Sequence, residues 1–170
     1  MSKHHRNRNW APAPQPLPED AHVIDNHTHV ASVVPFSQAM SHEAMEKGQG
    51  EVPAYSVDEL LKQAQDVGVE GVIDCGCELP NLMTAIDMAR EHPGTVHAAI
   101  AIHPNEAVLH GHRGAPGPDG LPIKYKPWHD IPFDEAMAEV HRLATTSPNQ
   151  VVAIGETGMD LFRTGESAKE

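Results

Sequence analysis

The chain has 170 residues, the size of about one domain, and its 12 basic and 24 acidic residues give a formal net charge of −12. This charge excludes binding to a polyanion through bulk attraction, so a nucleic-acid or phosphate-ester substrate would need bound cations. No stretch is long or apolar enough for a membrane span or a secretory signal.

The first 20 residues are predicted to form a disordered tail, and residues 21–170 the folded domain. Alternating prolines, Pro12, Pro14, Pro16 and Pro18, follow three basic residues in this tail. Proline spaced in this way prevents helix formation and favours extended, solvated chain.

Short apolar runs alternate with helical patterns after the tail. The runs, read as buried strands, are 21–30, 71–77, 96–102 and 151–155. The first helix begins at Ser56, with Glu59 completing a capping box, the second follows Pro80 and the third starts near Asp134. This alternation predicts an α/β fold with parallel strands, either a doubly wound sheet or part of a (β/α)₈ barrel.

Two connections are unusually long for such a fold, about 31–55 and about 105–132. Both follow the carboxyl end of a strand, which is the functional face of a βα architecture. We expect irregular chain in the second, which is rich in Gly, Pro and His, and its length fits a lid or a substrate-shaping loop.

The two cysteines, Cys75 and Cys77, lie on one predicted strand. Disulfide geometry between such close neighbours is poor, and zinc sites usually space their cysteines more widely. We interpret both as reduced, buried thiols without a ligand role, which fits a reducing cytoplasm.

The sharpest chemical feature is the segment Asp-Asn-His-Thr-His at 25–29. Because strand side chains alternate, His27 and His29 point to one face and can hold one metal ion. Asp25 shares that face in this reading, either as an orienting partner of an imidazole or as a strand-start carboxylate.

A carboxylate, Glu156, directly follows the fourth apolar run. Because the carboxyl ends of parallel strands lie at one edge of the sheet, Glu156 can converge with His27 and His29. Two imidazoles and a carboxylate form a ligand set that suits zinc, iron or manganese. The alternative is a carboxylate that caps the next helix. Asp160 lies four residues further on and is either a supporting group or a helix cap.

The third predicted strand ends in Ile-His-Pro, and the proline keeps His103 extended at the same face. This histidine could bind a substrate oxyanion, donate a proton or ligate metal, or be an ordinary loop residue.

Together these segments resemble the TatD family of metal-dependent, deoxyribonuclease-like hydrolases. The matching segments are 25–29, 68–76, 102–104 and 151–160, of which the last, Val-Val-Ala-Ile-Gly-Glu-Thr-Gly-Met-Asp, is the most specific. Met159 replaces the leucine that is usual there.

The resemblance implies a TIM-barrel fold, of which this chain carries about the first four βα units, and a site for up to two divalent ions (Zn, Mg or Mn). By this resemblance His27 and His29 would hold the first ion, Glu156 would bridge both ions, and His103 would lie near the scissile phosphate. The chain ends before counterparts of the later ligands, so we expect a truncated protein that is nearly inactive alone.

The resemblance therefore predicts phosphodiester hydrolysis with a nucleic-acid or phosphate-ester substrate. Two other enzymatic readings stay open, an amidohydrolase-like ester or amide hydrolase and an aminoacyl-tRNA ester hydrolase. A non-catalytic, truncated metal-binding fragment is the third alternative.

Overall fold

A computed structural model describes residues 16–111 and 125–159 of the chain. Its strands are β1 (Val23–Thr28), β2 (Val69–Gly76), β3 (Val96–Ile100) and β4 (Val151–Ile154). Its helices are α1 (Val30–Glu46), α2 (Val57–Asp66), α3 (Leu79–Glu91), α4 (Pro104–Ala107) and α5 (Phe133–Thr146), with a 3-10 turn over Pro127–Asp130.

The four strands form one parallel sheet in the order β1-β2-β3-β4, with helices between consecutive strands. The predicted α/β class is confirmed, and every predicted strand is found with its ends within two residues of the prediction. Consecutive parallel strands that are neighbours, each joined by a helical crossover, match the first four βα units of a (β/α)₈ barrel.

The hydrophobic core lies between one face of the sheet and helices α2, α3 and α5. From the sheet it contains Val72, Val96, Ala98 and Ile100, and from the helices Leu61, Leu82, Ile86, Val140 and Leu143. Each fully buried branched side chain contributes roughly 1.5–3 kcal/mol relative to leaving it exposed. This packing fixes the strand ends from which the candidate site is built.

The region 31–55, interpreted from the sequence as a long connection, contains the 17-residue helix α1, so that interpretation was wrong. Helix α1 was not predicted because its sequence lacks the usual helix signals. It has Pro35 in its second turn and a weak apolar stripe, and its N-cap residue, His29, makes no capping side-chain hydrogen bond. Its first turn is instead stabilised by a residue of β2, since the backbone N–H of Ala31 donates to Asp74 Oδ1 over 3.4 Å.

The second long connection is partly helical. It begins with α4 and ends with the 3-10 turn, and residues 112–124 lie outside the described part. Of the predicted tail, residues 1–15 also lie outside it, and Leu17 N donates to Val67 O over 2.9 Å. Among the helices that the structure describes, none has the length and apolarity needed to cross a bilayer.

Candidate metal centre

Three side chains that the sequence singled out meet at the carboxyl end of the sheet. His27 lies near the end of β1, His29 follows that strand and Glu156 follows β4. Nε2 of His27 is 3.1 Å from Oε1 of Glu156, and Nε2 of His29 is 3.9 Å from Oε2. The two imidazoles contact each other edge to face, with ring centroids 5.2 Å apart.

This convergence indicates that the sheet curls, because β1 and β4 are its two edges. Neighbouring strands are spaced by about 4.8 Å, so three steps would separate the edge strands of a flat sheet by roughly 14 Å. Contact between side chains of the two edges is the geometry expected of a barrel segment.

The donor set fits a divalent ion. One ligand atom from each of His27, His29 and Glu156 lies within 4.8 Å of the other two. Ligand distances of about 2.0–2.2 Å would bring these atoms around a single ion after a small adjustment. The imidazole side chains are 50% and 41% exposed, which leaves room for water or substrate as further ligands.

His103 caps the short helix α4 and faces the same group. Its Nδ1 accepts a hydrogen bond from the backbone N–H of Asn105 over 3.1 Å, so a neutral ring carries its proton on Nε2. That Nε2 is 3.9 Å from Oε2 of Glu156. His103 and Glu156 line an open cavity of about 250 Å³ with Pro104, Thr157 and Met159.

A fourth side chain, Cys77, touches Glu156 and was not assigned to the site from the sequence. Its thiol donates to Oε2 of Glu156 over 2.9 Å. Burial, followed by the hydrogen bond and the charge of Glu156, raises the pKa of the Cys77 thiol to about 12. Both cysteines are free thiols, as expected, but both are half-buried and not fully buried as predicted. The signal available in the sequence was the position of Cys77 directly after β2.

The backbone around Cys77 is held closely. A side chain at Gly76 would place its Cβ only 2.8 Å from the carbonyl oxygen of Asn81 in α3, so the strand and helix approach at a distance that needs glycine. The carbonyl of Cys77 accepts from the backbone N–H of His103 over 2.9 Å. Cys77 therefore connects His103 and Glu156.

The predicted supporting residues are placed differently. Asp25 Oδ1 accepts from the backbone N–H of His27 over 3.2 Å, so its contact is with the main chain of the ligand residue. An irregular register between Asp25 and Thr28 breaks the simple alternation that the sequence suggested. Asp160 lies outside the described residues.

Nothing in the sequence indicated the structural role of Asp74, a buried carboxylate close to the site. It is 1% exposed and accepts from the first turn of α1, which begins directly after His29. Burial raises the pKa of Asp74, and the hydrogen bonds from the backbone of Ala31 and Val30 and the charge of His29 partly offset that effect. Asp74 thereby fixes the point at which the chain turns from β1 into α1.

The connection that follows His103 is braced by a buried histidine that pairs with a half-buried glutamate. Nε2 of His129, which is 2% exposed, lies 2.7 Å from Oε2 of Glu106 in α4. The indole Nε1 of Trp128 donates to the same oxygen over 3.4 Å. These contacts tie α4, and with it the capping residue His103, to the 3-10 turn.

Fold and site together define a parallel α/β protein with a candidate metal centre at the carboxyl ends of its strands, the face on which barrel enzymes place their catalytic groups. The sequence profile of the family described as TatD related DNase matches residues 24–170. The chain therefore belongs to the TatD-related DNase family, as the sequence motifs predicted.

One curated relative is similar over part of the chain. It is the protein named 3'-5' ssDNA/RNA exonuclease TatD from Erwinia tasmaniensis, and it is 30% identical over 106 residues. The matched region is 62% of this chain and 32% of the relative, so the match spans about a third of that protein's length.

Proposed function

We propose that this chain carries the first metal-binding half-site of a TatD-like nuclease that hydrolyses phosphodiester bonds in single-stranded nucleic acid. The observation that carries the proposal is the convergence of His27, His29 and Glu156 from opposite edges of the sheet. Family membership supports phosphodiester chemistry, and the relative's name supports a single-stranded substrate.

In this proposal His27, His29 and Glu156 hold a divalent ion through two imidazole nitrogens and a carboxylate. When bound, such an ion would lower the pKa of a water molecule to about 7 and polarise a phosphoryl oxygen. The strand ends bring the three side chains close together before the ion binds.

His103 serves as the hydrogen-bond donor to the phosphate. Its Nδ1 accepts from the backbone of Asn105, so the ring presents Nε2–H to the cavity that it shares with Glu156. A donor fixed in this way stabilises negative charge on a phosphate oxygen without rearranging during the reaction.

The charges around the centre make the proposed activity depend on the cation. The carboxylates of Glu156 and Asp25 lie at or beside the group, and the whole chain carries a net charge of −12. Without a cation the centre repels phosphate, so we expect nucleic-acid binding to require a divalent ion as well.

The test is an assay with an end-labelled single-stranded oligonucleotide in Mg²⁺, Mn²⁺ or Zn²⁺ and in excess chelator. Product accumulation over long incubations and metal-dependent oligonucleotide binding are both measured. The proposal expects cleavage that chelator abolishes and that Glu156→Gln slows by about 100-fold or more, because the substitution weakens the binding of the ion.

The matched control is His141→Ala, which removes an exposed imidazole of α5 and should leave cleavage unchanged. Cleavage that persists in chelator, or in Glu156→Gln, would come from another nuclease and would count against the proposal. Absence of both cleavage and metal-dependent oligonucleotide binding would refute it.

A further inference from the structure

Glu156 is a ligand residue at the end of an edge strand, where little of the fold restrains it. The three residues that follow, Thr157, Gly158 and Met159, are all exposed, and β4 pairs only with β3 among the described strands. A flexible glutamate loses side-chain freedom when it binds an ion, which weakens binding unless other contacts already fix it.

The contacts of Glu156 divide between its two oxygens. Oε1 faces Nε2 of His27, while Oε2 faces the Cys77 thiol at 2.9 Å and, at 3.9 Å each, Nε2 of His29 and Nε2 of His103. An imidazole that coordinates an ion through Nε2 has no proton on that atom and cannot donate to the carboxylate. Among the described contacts, the thiol is then the donor within hydrogen-bond distance.

The thiol itself is in a fixed position. The close approach of Gly76 to the backbone of α3 holds the chain just before it, and the Cys77 carbonyl accepts from the His103 amide. Cys77 is therefore anchored by β2, α3 and the start of α4, whereas Glu156 is anchored mainly by strand β4. The better-fixed partner can orient the other.

We propose that Cys77 is a positioning residue whose thiol hydrogen bond holds Oε2 of Glu156 and turns Oε1 toward the ion held with His27 and His29. This inference rests on the proposed function and deepens it. The thiol acts as a hydrogen-bond donor and not as a metal ligand. Among the described residues, the ligand atoms that lie within 4.8 Å of one another belong to His27, His29 and Glu156, and the Cys77 sulfur is outside this group.

The experiment is calorimetric titration of the chain with Zn²⁺ and Co²⁺, with circular dichroism to verify that each variant is folded. Cys77→Ala removes the donor and should weaken binding by about 10–100-fold, the usual effect of losing a group that supports a metal ligand. Cys77→Ser keeps a donor and should bind within about threefold of the wild type, a difference of less than 1 kcal/mol.

The matched control is Cys75→Ser, two residues earlier and within β2, which should not change affinity. The Co²⁺ complex of the wild type should lack the near-ultraviolet charge-transfer band of a cobalt–thiolate bond. Equal affinity of Cys77→Ala and wild type would overturn the proposal. So would a thiolate band that disappears in both Cys77 variants, since Cys77 would then be a ligand.

An infrared measurement tests the same contact without altering Cys77. In a Cys75→Ser background the remaining S–H stretch should lie at the lower frequency of a hydrogen-bonded thiol and shift toward the free value when Glu156→Gln replaces the charged acceptor with a neutral one. An S–H stretch that does not respond to Glu156→Gln would overturn the inference. If the wild type binds no metal but the S–H stretch responds, the proposed function fails while the contact stands.

Discussion

Nε2 of His27 lies 3.1 Å from Oε1 of Glu156, although these residues belong to opposite edges of a four-stranded sheet. This contact exists because the sheet curls and because both side chains emerge at the carboxyl ends of parallel strands. In complete (β/α)₈ barrels the same two properties bring side chains from many strands together at the active site. The candidate centre is thus a direct product of the topology.

Removal of both imidazoles should remove metal binding. The double variant His27→Ala with His29→Ala retains one of the three ligand side chains, and three protein ligands are near the minimum for a zinc site. We expect about one divalent ion per wild-type chain and a loss of affinity of at least about 100-fold in the double variant, measured by equilibrium dialysis and elemental analysis.

The control for this measurement is His141→Ala, which removes an exposed histidine of α5 and should leave the stoichiometry unchanged. Equal metal content in the wild type and the double variant would show that the ion binds elsewhere.

Much of the fold was predictable because its signals are local. The strands are short apolar runs, and the capping box at the start of α2 is present as expected, with Ser56 and Glu59 each accepting from the other's backbone. Helix α1 was not predictable, because the acceptor for its first turn is Asp74 of β2, which is remote in sequence. Local patterns carry no information about such a cap.

The candidate site likewise has a part that could be predicted from the sequence and a part that could not. His27, His29 and Glu156 were recognisable because each is a ligand-type residue at the end of an apolar run, where parallel topology brings strand ends together. The contact of Cys77 with Glu156 depends on the curl of the sheet and on the close packing of Gly76 against α3. Neither feature can be read from residue spacing.

The capping box offers a test of helix α2. Ser56→Ala removes the side-chain acceptor for the backbone N–H of Glu59 and should lower the free energy of unfolding by roughly 0.5–2 kcal/mol. Urea denaturation followed by circular dichroism measures the change. Gln63→Ala, at an exposed position of the same helix, should change stability by a few tenths of a kcal/mol at most. Equal effects of the two substitutions would mean that the cap contributes nothing.

His103 combines a structural and a chemical role, and one variant separates them. Asparagine is a good helix N-cap, so His103→Asn should preserve the acceptor for the Asn105 amide while removing the Nε2–H that faces the cavity. We expect unchanged thermal stability, metal affinity within about threefold of the wild type, and a rate of oligonucleotide cleavage lower by roughly 100-fold. A variant that cleaves at the wild-type rate would show that His103 serves only as a cap.

The buried carboxylate of Asp74 should make stability depend on pH. Burial raises its pKa in the folded state above the ordinary value of the unfolded chain. As pH rises between these two pKa values, Asp74 loses its proton first in the unfolded state, so the free energy of unfolding falls. Above the folded pKa the destabilisation caused by the buried charge is complete.

Asp74→Asn keeps an oxygen acceptor for the Ala31 amide but carries no ionisable group. The variant should therefore gain stability relative to the wild type as pH rises from about 4 to about 8, because only the wild type pays the desolvation of an ionising carboxylate. Urea denaturation of both proteins across this range measures the difference. A difference in stability that is independent of pH would show that Asp74 ionises in the folded chain without penalty. A difference that shrinks toward high pH would show that the first turn of α1 stabilises the charged form of Asp74.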